Sequence, residues 1–136
     1  MSTCLYLDTS AVLRAILESG TSPDLEARIA GAPALITSRL SLVESSRALH
    51  RLRQIGEMSE TKLADAEREL NAVWARCELW ELTAPVCERA RQVAPTRSLR
   101  TLDALHLATF ALARERIGNL ELVTDDQRLR SALEAV

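Results

Sequence analysis

The chain has 136 residues, 47% of them hydrophobic and only 3% aromatic, and a net charge of -2. That length suits one ordinary domain whose core is mostly Leu, Ala, Val and Ile, and it leaves little room for two. The composition excludes a disordered chain, and the balance of charge lacks the broadly basic signature of a nucleic-acid binder.

The first predicted element is a short buried strand in "CLYL", with a carboxylate, Asp8, at its end. Residues 9 to 18 then read as a helix with Ala11, Val12, Ala15 and Ile16 on one face, stopped by Gly20. Ser22 and Pro23 start a second helix, to about Ala30, with serine as cap and proline at the first helical position. A second buried strand follows in residues 34–37. Ser38 or Ser41 caps a long helix to about Gln54, ended by Gly56. Ser59 opens the next helix, which carries Leu63, Ala66, Leu70 and Val73 inward. A third strand is predicted at residues 79–82. Pro85 begins a helix to about Ala94, and "PTRSLR" reads as a loop. Residues 102–117 form a strong helix, closed by Gly118 and Asn119. A fourth strand at 120–123 leads through "TDD" into a last short helix.

Strands therefore alternate with helices from end to end, which predicts a parallel sheet sandwiched by helices. No repeat, linker or low-complexity segment divides the chain, so residues 1–136 read as one domain.

In such sheets, ligands bind beyond the carboxyl ends of the strands. Asp8 follows the first strand, and Asp125 and Asp126 follow the fourth. Two further acids interrupt apolar helical patterns, Glu44 in "SLVESSRAL" and Asp103 in "TLDALHLA". A charge near an apolar face costs free energy unless something pairs with it. The separate readings are ordinary: Asp8, Asp103 and Asp126 as helix caps, Glu44 facing solvent. If Asp8, Glu44, Asp103 and Asp126 instead converge, two of them at about 4 Å repel by roughly 4 kcal/mol at an effective dielectric of about 20. Such a group needs protons or a cation. Oxygen-only ligands suit a hard divalent ion such as Mg²⁺ or Mn²⁺, and His and Cys are too scattered for zinc.

The segments "YLDTSAVL", "SLVESSRAL", "LRTLDALHLA" and "LVTDD" together resemble the PIN-domain family, specifically the VapC-type toxins of bacterial toxin–antitoxin pairs. They occur in the family's order and cover nearly the whole chain. The resemblance implies a PIN-like three-layer α/β/α domain with a central parallel sheet of four or five strands. The chain's end at Val136 leaves the fifth strand in question. It also implies a Mg²⁺- or Mn²⁺-dependent endoribonuclease that hydrolyses RNA in line and leaves a 5′-phosphate and a 3′-hydroxyl. Asp8, Glu44 and Asp103 match the family's three core acids. Asp126 matches the fourth, in a T-x-D pattern in which Thr124 supplies the hydroxyl and Asp125 fills the variable position. Thr9, Ser10, Thr124 and Asp125 are expected to support the site. Homodimers and inhibition by a VapB-type antitoxin are further family expectations. The alternative is a catalytically inactive PIN-like binding module for RNA or protein.

Asp8-Thr9-Ser10 also raises a haloacid-dehalogenase-like phosphatase. That chemistry needs a second aspartate where Ser10 stands, and it gives Glu44 no role. His106 reads as a packed residue that hydrogen-bonds near the site, and Trp74 and Trp80 as core. Lys62 is the only lysine among the basic residues, and arginine's planar fork suits phosphate. Arg97 and Arg100, just before the Asp103 helix, are the expected RNA contacts. Cys4, Cys77 and Cys87 form no CxxC pair, and an odd count argues against a disulfide framework. No signal sequence or membrane-length apolar run is present, so a cytoplasmic protein is expected.

Overall fold

The computed structural model describes residues 3–136. Its elements are β1 (Cys4–Leu7), α1 (Thr9–Leu17), α2 (Pro23–Gly31), β2 (Leu35–Ser38), α3 (Arg39–Ile55), α4 (Glu60–Ala75), β3 (Cys77–Trp80), α5 (Ala84–Ala90), α6 (Thr101–Ile117), β4 (Leu120–Val123) and α7 (Gln127–Ala132). A 3-10 turn, Leu133–Ala135, follows α7. The four strands form one sheet in the order β3-β2-β1-β4, and every neighbouring pair is parallel.

Side-chain alternation along the strands builds the two outer layers. Leu5, Leu7, Leu35 and Val123 face one side, packed with residues of α1, α2, α3 and α4. Tyr6, Ile36, Leu120 and Leu122 face the other, packed with Leu107, Phe110 and Ala113 of α6 and Leu129 of α7. Both strand faces are covered, which is why the strands read as apolar runs rather than as alternating patterns. Leu7, Leu63, Leu107 and Leu129 are fully buried, each contributing about 1.5–3 kcal/mol by leaving water. Trp74 is core, as expected, and its indole Nε1 donates to Ser45 Oγ at 3.1 Å.

The strand order reverses at β1. The chain moves outward through β2 and β3, then returns to place β4 on the opposite side of β1. Crevices at such reversals are where open parallel sheets bind ligands. Asp8 and the Thr124–Asp126 segment stand at the carboxyl ends of these two strands.

Several boundaries differ from the sequence expectation. The third strand lies at 77–80 rather than 79–82, because Cys77 to Trp80 pair with Leu35 to Ser38, and Leu82 falls outside the sheet, 41% exposed. The fifth helix stops at Ala90, not Ala94. Ala94 has a positive φ of 45°, and Pro95 after it disfavours helical backbone. Ser38, not Ser41, caps α3, accepting from Leu40 N, and Ser41 is buried inside that helix. Ser22 stands at the cap position of α2 but makes no side-chain cap bond. Val73 is only partly buried; Trp74 beside it takes the inward position. Trp80, expected in the core, packs only partly buried at the cluster's margin. Among the described residues the sheet has four strands.

Candidate active site

Asp8 occupies the cap position of α1, yet its side chain caps nothing. Its Oδ2 accepts from Ser10 Oγ at 2.6 Å and from Thr124 Oγ1 at 2.7 Å. Only 5% of Asp8 is exposed, so these hydroxyls replace the water that burial removes. They are fixed in turn: the backbone N–H of Asp125 donates to Ser10 Oγ, and that of Asp126 to Thr124 Oγ1. The carboxyl ends of β1 and β4 are thus stitched together around one carboxylate.

Glu44 comes to the same place from the second turn of α3. It is partly buried rather than turned to solvent. Its Oε1 accepts from Thr9 Oγ1 at 2.7 Å and from His106 Nε2 at 2.6 Å. His106 Nε2 also lies 3.6 Å from Asp8 Oδ1, so the ring stands beside both acids while bonding Glu44. Burial pushes the Glu44 carboxyl up, but His106, the Thr9 hydroxyl and the more distant Arg100 charge outweigh it and hold it below the usual value. Beneath this pair, the hydroxyls of Thr9 and Ser41 stand 3.0 Å apart and those of Ser41 and Thr37 2.8 Å apart. Thr37 donates to the Leu7 carbonyl.

Asp103 lies in the first turn of α6 and is buried. Asp126 caps α7, its Oδ1 accepting from Arg128 N and Leu129 N, so the capping reading is correct for this residue. Its other oxygen, Oδ2, turns to Arg100. Arg100 joins these two acids: Nε donates to Asp103 Oδ2 and Nη2 to Asp126 Oδ2, each at 3.1 Å. The bond to Asp103, with the charges of both acids, raises the guanidinium above its ordinary value.

Four acids from four parts of the chain are therefore gathered pairwise. Glu44 bonds His106, which stands beside Asp8, and Asp103 and Asp126 share Arg100. Among the described residues, no three acidic, His or Cys groups are drawn into one ready-made ligand set. Asp125 turns away, its Oδ1 2.5 Å from Arg14 Nη1. Arg97 reaches Ser131 and Glu134, not the acids.

The PIN domain model matches residues 5–133. Ribonuclease VapC45 of Mycobacterium tuberculosis is 35% identical over 133 residues, covering 96% of this chain and 90% of the relative. The chain belongs to the PIN-domain family, among the VapC ribonucleases. Of solved structures, PAE2754 from Pyrobaculum aerophilum superposes with a TM-score of 0.67 at 26% identity, covering 96% of this chain and 79% of that one. The toxin–antitoxin complex from Klebsiella pneumoniae gives a TM-score of 0.62 at 21% identity, covering 90% and 86%, and supports the fold.

The donor set of this PIN domain fits the divalent ion on which the family's nucleases generally depend. All four acids offer oxygen, the preference of Mg²⁺ and Mn²⁺. A cation of the chain's own, Arg100, already lies against two of them. Sequence reasoning placed the acids but did not assign His106 to Glu44 or Arg100 to the Asp103–Asp126 pair. The spacing of Arg100 and Asp103, three apart at a helix start, was the available signal for the latter.

Proposed function

We propose that this VapC-type PIN domain is an endoribonuclease that works with Mg²⁺, for which Mn²⁺ substitutes, as the toxin of a toxin–antitoxin pair. The observation that supports the reading is the pair of acid groupings, Asp8 and Glu44 beside His106 and Asp103 and Asp126 on Arg100, joined through Thr124, which donates to Asp8 and accepts from the Asp126 backbone. These four residues would hold the ion. When bound, it supplies activation of water and neutralises charge on the phosphoryl group.

The remaining work falls to the chain's own side chains. Ser10 and Thr124 hold Asp8, so a buried carboxylate keeps one orientation. Thr9 holds Glu44 against the floor of the site. Arg100 is 67% exposed at its side chain and bonded to two acids. With a divalent ion in place those acids no longer need it, and its fork is free to receive an RNA phosphate. Arg97 and Asp125 contribute at the periphery, Asp125 by anchoring the α1 arginine beside the Thr124 turn.

Membership among the VapC ribonucleases and likeness to a solved toxin–antitoxin complex support an antitoxin partner of the VapB type. Homodimerisation, a single PIN domain over residues 1–136 and a cytoplasmic location complete the proposal. No helix among the described residues is long and apolar enough to cross a membrane.

The test is cleavage of a mixed cellular RNA pool by the purified chain with Mn²⁺, with Mg²⁺ and with EDTA, beside Asp8→Asn. Discrete, metal-dependent fragments carrying 5′-phosphates, absent from the variant, are expected. Fragments that persist in EDTA, or in Asp8→Asn, would remove the metal-site assignment. Light scattering of the chain alone and with co-expressed antitoxin reports the assembly.

A further inference from the structure

Glu44 receives both of its protein hydrogen bonds on one oxygen. Thr9 and His106 donate to Oε1, and no residue among those described bonds Oε2. A carboxylate only accepts, so the donor from the ring is a protonated Nε2. On the far side of the ring, Nδ1 stands 2.8 Å from the Tyr6 hydroxyl. Both residues are sealed from solvent, Tyr6 at 0% and His106 at 1% exposure. The Tyr6 ring packs edge-on against His106 and Phe110, with centroids 6.0 Å apart in each case. The imidazole therefore has fixed partners at both nitrogens and a fixed wall. Burial alone asks for a partner at each ring nitrogen; what ties this ring to the site is that one of the two is the Glu44 carboxylate.

We propose that Tyr6 and His106 are positioning residues that clamp Glu44 by Oε1 and so reserve Oε2 for the divalent ion. The inference rests on the metal-site reading of the preceding subsection. It adds two residues that touch neither ion nor substrate. The clamp starts in β1, two residues before Asp8, and passes through α6, three residues after Asp103, to Glu44 on α3. The elements that carry two acids thus also orient a third. Outer partners that fix a ligand's orientation are typically worth about 10–100-fold in metal affinity.

The experiment uses the full chain and reads Mn²⁺ affinity from the free-ion electron paramagnetic resonance signal. The variants are His106→Leu, His106→Gln and Tyr6→Phe, with Glu44→Gln as reference. His106→Leu is expected to weaken Mn²⁺ about 10–100-fold and to lower kcat while leaving KM for RNA unchanged. His106→Gln restores much of the affinity, because its amide nitrogen reaches the place of Nε2. Tyr6→Phe gives a smaller loss. Without metal, ¹⁵N NMR of the imidazole is expected to show a proton on Nε2 of His106; His50 is the only other histidine, and His50→Gln separates the signals. Full Mn²⁺ affinity in a folded His106→Leu, beside an impaired Glu44→Gln, overturns the clamp and leaves the acid site standing. An unimpaired Glu44→Gln overturns the acid site itself. If His106→Leu does not fold, the NMR decides, and an Nε2 without a proton overturns the clamp.

Discussion

Arg100 spans Asp103 and Asp126 with its two ends, Nε to one carboxylate and Nη2 to the other. The two acids come from different helices, 23 positions apart by their numbers (126 less 103), and a single guanidinium offsets their repulsion. Replacing it with Gln is expected to lower the melting temperature in EDTA and to restore most of the loss when Mn²⁺ is added. RNA binding should weaken, with the slope of log K against log salt reduced by about 0.7 for a single strand. An unchanged salt slope would place Arg100 away from the RNA backbone.

Asp8→Asn retains an oxygen that accepts from Ser10 or Thr124, so the fold is expected to survive with a melting temperature in EDTA close to that of the parent. Cleavage should fall on the order of 10²-fold or more, and Mn²⁺ affinity with it. Asp103→Asn is expected to behave alike. Full activity in both variants would leave the acids as structural groups.

A divalent ion that binds the folded state and not the unfolded chain stabilises the fold by mass action. At about 100 times its dissociation constant, Mn²⁺ contributes roughly 2.7 kcal/mol, which in a domain of this size raises the melting temperature by several degrees. Thermal scans from micromolar to millimolar Mn²⁺ give the measurement. A curve that does not move, with the parent and Asp8→Asn indistinguishable, would count against convergence of the acids.

Glu44 supplies the pH dependence. Its folded carboxyl lies below the ordinary value, despite burial, through His106, Thr9 and Arg100. A group lowered on folding contributes stability that is complete above its unfolded value and is lost as pH falls through the folded one. Thr9→Val removes one donor and lets the carboxyl rise, so acid unfolding should begin at higher pH. The loss near neutrality is about 1 kcal/mol, at the low end because Glu44 is partly solvated. Melting temperatures from pH 7 to pH 3 in EDTA test this, and superimposable curves would show that Thr9 does not support the charge.

Much of this was legible before any coordinates. A carboxylate ending an apolar strand, and two more inside apolar helical patterns, announce themselves because burial makes each conspicuous. Alternating strands and helices sufficed for the layered fold. Pairings between distant segments were not legible. Tyr6 and His106 meet across 100 positions, because α6 packs on the sheet face that Tyr6 enters. Asp125 and Asp126 are neighbours in sequence but diverge, one to Arg14 and the other to Arg100, because the turn after β4 points successive side chains apart. Arg97 and Arg100 share a loop, and only the helix start at Thr101 decides which of them turns to the acids. The β3 boundaries depended on the register with β2, which composition does not encode.

The hydrogen bond from Thr124 to Asp8 closes a loop of 116 positions. A ribosome delivers the amino-terminal half first, and that half emerges with Asp8 and Glu44 but without the strand that completes their surroundings. The proposed site is therefore assembled only once β4 and the turn at Thr124 have been made. On the proposed reading, a growing chain that has not yet reached Thr124 and Asp126 lacks both the hydroxyl that holds Asp8 and the fourth acid.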